Sequence, residues 1–141
     1  MLNIILRAEN AYKWTEGRCI FASGSPFDKV EYNGKIFSPG QGNNMYIFPG
    51  LGLGAVVSHS KHVSNEMILV AAKTLAACVT EEEFNACKIY PDLNKIRDIS
   101  KTIAVAVAKK AVEEKLSDLS PDSDFDELVT KYMFYPEYSK L

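Results

Sequence analysis

Ile96, Ile99, Ile103, Val107 and Ala111 recur at three- and four-residue spacing, while Lys95, Lys101, Lys109 and Glu113 fall between them. This pattern lays one apolar stripe on one face of a helix and charge on the other. It predicts the longest helix of the chain, from Leu93 to about Leu116, just after Pro91. Phe125, Leu128, Val129 and Tyr132 repeat the helical spacing after Ser-Pro-Asp-Ser-Asp and predict a tail helix strapped onto the body. Ser64 and Thr80 stand where N-caps belong, and Thr80-Glu81-Glu82-Glu83 fits a capping box. Helices over 65–78 and 81–87 are therefore expected. From Met45 to Ser58 the residues are nearly all small or apolar, broken by Pro49. A buried helix beginning at or near that proline is expected, with Gly50, Gly52 and Gly54 allowing close packing. Ala8 to Trp14 can form a short helix that Gly17 stops.

Strand signals are fewer. Cys19-Ile20-Phe21-Ala22 is a short apolar run between Gly17 and Ser23-Gly24-Ser25-Pro26, as in a strand buried on both faces. Val30-Glu31-Tyr32 and Lys35-Ile36-Phe37 flank Asn33-Gly34, a strong two-residue hairpin signal. Pro39-Gly40-Gln41-Gly42-Asn43-Asn44 is expected to be a loop outside regular structure, where backbone can approach a ligand. A strand buried on both faces needs neighbours to satisfy its backbone groups, so further strands are expected ahead of Met1. No internal repeat or low-complexity segment is evident.

At 141 residues, with 47% hydrophobic and 24% charged residues, the chain has the size and composition of one ordinary folded domain. Sixteen basic and eighteen acidic residues leave a net charge of -2, which argues against nucleic acid or an anionic membrane as a partner. Cys19, Cys78 and Cys87 are odd in number and lack C-x-x-C spacing, which points to a reducing, intracellular compartment. Cys78 and Cys87 are expected to be buried small hydrophobes. The apolar stretch from Met1 to Leu6 is too short for a signal peptide, and Leu51 to Val57 is far short of the roughly 20 residues of a membrane span. His59 and His62 could share a helix face, but no cysteine or carboxylate cluster completes a metal site, so solvated histidines near a helix end are expected. Glu81 to Glu83 suit a helix dipole better than a ligand. Gly50-Leu-Gly-Leu-Gly has neither a preceding strand nor the spacing of a dinucleotide fingerprint.

Gly-Arg-Cys-Ile-Phe-Ala-Ser-Gly-Ser-Pro-Phe, from Gly17 to Phe27, and Phe-Ser-Pro-Gly-Gln-Gly-Asn-Asn-Met-Tyr-Ile-Phe-Pro-Gly, from Phe37 to Gly50, are long and specific. Together they closely resemble malic enzymes. Ile-Tyr-Pro-Asp-Leu-Asn-Lys-Ile-Arg-Asp-Ile-Ser, from Ile89 to Ser100, resembles the tyrosine-proline segment ahead of that family's last long helix. The likeness runs from about Ala8 to Val112 and weakens in the tail.

The resemblance implies an α/β chain, helix-rich, forming the C-terminal section of a Rossmann-like doubly wound NAD(P)-binding domain. Residues 1–116 would be that section and 117–141 a C-terminal tail helix. It implies oxidative decarboxylation of malate to pyruvate with NAD or NADP and with magnesium or manganese. Asn44, with Asn43 beside it, matches the asparagine pair whose amide hydrogen-bonds the substrate carboxylate. Read without the resemblance, both would cap the next helix. Ser23, Gly24 and Ser25 lie just past the carboxyl end of the expected strand, where open α/β sheets bind ligands, so a cofactor contact and an ordinary turn both remain open. Gly40 and Gly42 are expected to shape the loop.

The family's catalytic tyrosine and lysine, acidic metal ligands and glycine-rich cofactor loop have no counterpart here. No catalytic residue or metal ligand is therefore assigned, and the chain alone is expected to be inactive. Homo-oligomers, dimers or tetramers, and a cytoplasmic or mitochondrial location are implied for the parent enzyme. A noncatalytic module that associates with malic-enzyme subunits is the alternative, and a free-standing nucleotide-binding protein is a third reading.

Overall fold

The computed structural model describes residues 6–135. Six α-helices are present among them: α1 (Ala8–Trp14), α2 (Phe48–Val57), α3 (Asn65–Ala77), α4 (Glu81–Asn85), α5 (Ile96–Glu113) and α6 (Phe125–Tyr132). Four short strands, β1 (Ala22–Ser23), β2 (Val30–Tyr32), β3 (Lys35–Phe37) and β4 (Gly40–Gln41), form two two-stranded sheets. One pair, β1 and β4, is parallel, and the other, β2 and β3, is antiparallel. The chain divides into two compact units, residues 1–44 with 75–95, and residues 45–74 with 96–141. The stretch Met1 to Ile5, any strand ahead of it, and the tail beyond Tyr135 lie outside the described residues.

The first unit is built around an aromatic cluster. Tyr12 of α1 stacks on Phe37 of β3 with ring centres 4.4 Å apart, and Phe21 meets both Tyr12 and Phe27 edge-on. Cys19, Val30, Tyr32 and Cys87 pack against this cluster. The β2–β3 hairpin pairs Val30 with Phe37 and turns through Asn33 and Gly34, whose φ angles of 50° and 72° are those the predicted turn requires.

Two strand expectations need correction. The apolar run Cys19 to Ala22 yields regular pairing only at Ala22–Ser23, and it is not buried on both faces: Ile20 is 54% exposed and Ala22 is exposed, whereas Cys19 and Phe21 are half-buried against the cluster. Alternation along the chain lets one face meet the aromatic cluster while the other faces outward. The loop from Pro39 to Asn44 contains regular structure after all. Gly40 and Gln41 pair with Ala22 and Ser23, through Gly40 N–H donating to Phe21 O at 2.9 Å and Gly42 N–H donating to Ser23 O at 2.8 Å.

In the second unit α2 lies against α5. A Cβ on Gly50 would stand 2.6 Å from Ile103 Cβ and 2.8 Å from Ser100 O; on Gly54 it would stand 2.7 Å from both Ala104 O and Val107 Cβ. Gly50 and Gly54 thus serve the close helix contact expected of them, whereas Gly52 faces open space. Of the predicted stripe, Ile99, Ile103, Val107 and Ala111 are buried and Ile96 is half-buried. Val129 of α6 joins Val57 and Ala104, while Phe125 joins Ala108 and Val112, so α6 is strapped onto α5 by its apolar face. Ser117 secures the approach to α6 by donating its hydroxyl to Ser58 O at 2.5 Å.

Helix ends depart from expectation in one consistent way. α1 is stopped at Gly17, with φ 76° as expected, but Glu16 before it already holds φ 54°, and α4 ends at Asn85 rather than at residue 87, with Cys87 at φ 60°. His59 and Lys115 hold φ 51° and 58° after α2 and α5. In each case the next residue's N–H reaches five residues back, as Ser60 does to Ala55 O and Leu116 to Ala111 O, completing a Schellman-type stop. Cys78 and Cys87 are half-buried rather than buried. Cys87 occupies the turn that ends α4, which brings it only partly under the cluster.

Candidate functional site

The parallel pairing of β1 and β4 brings together two segments that are separate in the sequence. Ser23-Gly24-Ser25 leaves the carboxyl end of β1, and Gly42-Asn43-Asn44 leaves that of β4. Open parallel sheets present ligands at this end of their strands. A bridge ties β4 to the first loop: the Gln41 side-chain amide donates to Gly24 O at 3.4 Å. Ser23 Oγ accepts from Ser25 N–H at 3.4 Å, which gives the turn its shape and leaves the hydroxyl hydrogen outside that bond. Around Gly24 the space is open, with nothing within 4 Å of where a Cβ would stand.

Asn43 and Asn44 are both exposed, and Asn44 opens a 3-10 turn through Tyr46. Neither caps α2. The N-cap of that helix is Ile47, with no side-chain capping bond and Pro49 within the first turn. The expected capping of α2 by the asparagine pair is therefore not observed.

Behind β4 lies a segment that sequence spacing does not connect to it. At Gly40 a Cβ would meet Ala22 Cβ at 3.2 Å, Ile89 Cγ1 at 3.3 Å and Tyr90 Cδ2 at 3.5 Å; at Gly42 it would meet the Tyr90 hydroxyl oxygen at 3.3 Å. Both glycines shape the loop by admitting these neighbours. The Ile89–Tyr90 segment is held in turn by Glu83. Its carboxylate accepts from Thr80 N–H at 2.9 Å, Thr80 hydroxyl at 3.0 Å and Asp92 N–H at 3.0 Å, with Lys95 Nζ at 3.5 Å. The Thr80 backbone bond, followed by the Asp92 bond, the Thr80 hydroxyl and the Lys95 charge, holds the Glu83 carboxyl down to about 2 against the opposing effect of burial. Glu83 is thus more than a dipole partner for α4: it ties the helix start to the chain nine residues on. Nothing in the sequence marks Gln41 or Asp92 for these roles, because each acts through folded proximity.

His59 and His62 are exposed, and His59 serves as the stop of α2. Among the described residues no three His, Cys, Asp or Glu side chains gather closely enough to hold a metal ion.

Residues 5–112 match the family model described as malic enzyme, NAD binding domain. The chain belongs to the malic enzyme family. It is 57% identical over 133 residues to an NADP-dependent malic enzyme of Dictyostelium discoideum, covering 94% of this chain and 24% of that protein. It is 53% identical to an NADP-dependent malic enzyme of Vitis vinifera, covering 93% and 22%, and 44% identical to a mitochondrial NAD-dependent malic enzyme of Ascaris suum, covering 95% and 21%. The chain thus spans under a quarter of the length of these curated relatives. The crystal structure of the Entamoeba histolytica malic enzyme aligns with a TM-score of 0.63 at 21% identity, over 85% of this chain and 22% of that one. That likeness carries the fold, an α/β nucleotide-binding domain represented here by a helix-rich section with a small parallel sheet.

Proposed function

We propose that this chain is the C-terminal part of the nucleotide-binding domain of a malic enzyme, with residues 1–116 in that domain and 117–141 forming a C-terminal tail helix. The parent reaction is oxidative decarboxylation of (S)-malate to pyruvate and CO2. One observation carries the reading: β1–β4 pairing sets the Ser23–Ser25 turn beside the Gly42–Asn44 loop at the carboxyl end of a parallel pair. Asn44 and Asn43 offer amide N–H donors to a substrate carboxylate, an arrangement that binds an anion without burying a second ion. Ser23, Gly24 and Ser25 offer hydroxyl and backbone groups to NAD or NADP across the open face at Gly24. A nicotinamide nucleotide bound there supplies the acceptor for the hydride that leaves malate. On the family resemblance, the ligands for magnesium or manganese and the catalytic acid and base are assigned to polypeptide outside this chain.

The chain alone is expected to be inactive. An absorbance assay for malate-dependent NAD(P)H with manganese tests this, and turnover would overturn it. The site assignment is tested by amide NMR titration of the chain with NADP and with malate. Shifts gathered at residues 23–25 and 43–44 are expected; a response elsewhere, or none, rejects the assignment.

A noncatalytic module that pairs with malic-enzyme subunits is the second reading. Val63, Ile68 and Leu69 favour association, being 45%, 47% and 53% exposed. Either way, homo-oligomers of the parent enzyme are proposed, in the cytoplasm or the mitochondrion. Relatives are named chloroplastic in Oryza sativa and mitochondrial in Ascaris suum, and no helix among the described residues is long and apolar enough to cross a membrane.

A further inference from the structure

We infer that Tyr90 is a positioning residue for the asparagine pair, resting on the proposal that Asn43 and Asn44 meet the substrate. The strand that leads to those asparagines is held on two sides. Along one edge, β1 fixes the backbone through Gly40 N–H to Phe21 O and Gly42 N–H to Ser23 O. Against it lies the Tyr90 side chain: ring atom Cδ2 is 3.5 Å from a Cβ position at Gly40, and the hydroxyl oxygen is 3.3 Å from one at Gly42. One side chain thus spans the strand from its start to the residue immediately before Asn43.

Tyr90 can act this way only if its own backbone is fixed, and three features fix it. Pro91 is fully buried, and a proline confines the residue before it to extended backbone. On the far side of that proline, Asp92 N–H donates to Glu83 Oε1 at 3.0 Å. On the near side, Lys88 N–H donates to Glu83 O at 2.9 Å. Glu83 therefore holds both flanks of the Tyr90 segment, one through its carboxylate and one through its carbonyl, and is itself locked by Thr80. A shift of the Tyr90 ring would release Gly42, and with it the direction in which Asn43 and Asn44 leave the sheet.

The two contacts make separate demands on the side chain. The ring is needed at Gly40, so Tyr90→Phe should hold the strand and Tyr90→Leu should not. The hydroxyl is what a methyl at Gly42 would meet first, the next ring atoms being 3.8 Å away, so Gly42→Ala should disturb the loop when Tyr90 is present and be tolerated with phenylalanine there.

The test uses the whole chain, with amide hydrogen exchange and malate titration read by NMR. Tyr90→Leu is expected to speed exchange at the Gly42 amide by roughly tenfold or more and to remove the malate response of Asn43 and Asn44, while the α5 amides keep their protection. Tyr90→Phe is expected to retain both, and Gly42→Ala to regain both when combined with Tyr90→Phe. Unchanged Gly42 exchange in Tyr90→Leu overturns the inference. Should Tyr90→Leu fail to fold, the Gly42→Ala and Tyr90→Phe pair decides: no rescue in the double variant overturns it. If wild type shows no malate response but Tyr90→Leu still frees Gly42, the substrate reading fails while the positioning role stands.

Discussion

At Gly50 and Gly52, two residues apart on one helix, the same substitution should have opposite effects. Alanine at Gly50 would drive its methyl to 2.6 Å from Ile103 Cβ, and the strain of separating α2 from α5 should outweigh alanine's better helix propensity, costing about 1–3 kcal/mol. Gly52 faces open space, so Gly52→Ala should stabilise by up to about 1 kcal/mol, and urea denaturation of both variants checks the sign of each. Tyr12 offers a second contrast. Its buried hydroxyl has no hydrogen-bond partner among the described residues, and burial pushes its pKa up. Tyr12→Phe keeps the stacking on Phe37 and removes an unsatisfied group, so it is expected to be neutral or to raise the melting temperature. At this scale the sequence was informative where a role is local, as with Thr80 and Glu83 three residues apart. It was silent where folding brings distant groups together, as with Glu83 and Asp92 or Gln41 and Gly24.

Helix ends and strand pairs were legible to different depths. Periodicity located α5 and α6 because an apolar stripe is a repeated signal, and Ser64 caps α3 as its position suggested, accepting from Met67 N–H at 3.0 Å. β4 was not legible, because two residues flanked by glycine and proline carry no alternation; its pairing depends on Ala22, far back in the chain. The helix stops were only partly so, since Glu16, His59, Cys87 and Lys115 take backbone angles that favour glycine. Replacing Lys115 or His59 with glycine should relieve this and stabilise by about 0.5–1 kcal/mol in chemical denaturation; both side chains are exposed, so little packing is lost. The start of α4 should respond to acid. Because folding lowers the Glu83 pKa from its ordinary 4.5 to about 2, the unfolded chain takes up the proton first. Its stabilising contribution is complete above about pH 4.5 and lost as pH falls towards about 2. Glu83→Gln should be less stable near neutrality and lose less on acidification, as measured by denaturation midpoints across that range.

At the scale of the molecule, the family was legible from two long motifs, whereas the division into two units was not. The sequence suggested one domain because 141 residues is the size of one; the grouping depends on which segments share a core. The second unit is discontinuous, its α2 and α5 lying on either side of residues 75–95, which belong to the first. Bringing Gly50 against Ile103 therefore closes a loop of roughly fifty residues, and the entropy of such a closure depends on the logarithm of its length, with each doubling adding only about 0.6 kcal/mol. The helix pair is thus nearly indifferent to how long the intervening excursion is. In evolutionary terms, the stretch between α2 and α5 is a place where this architecture can lengthen or shorten while the α2–α5 contact persists.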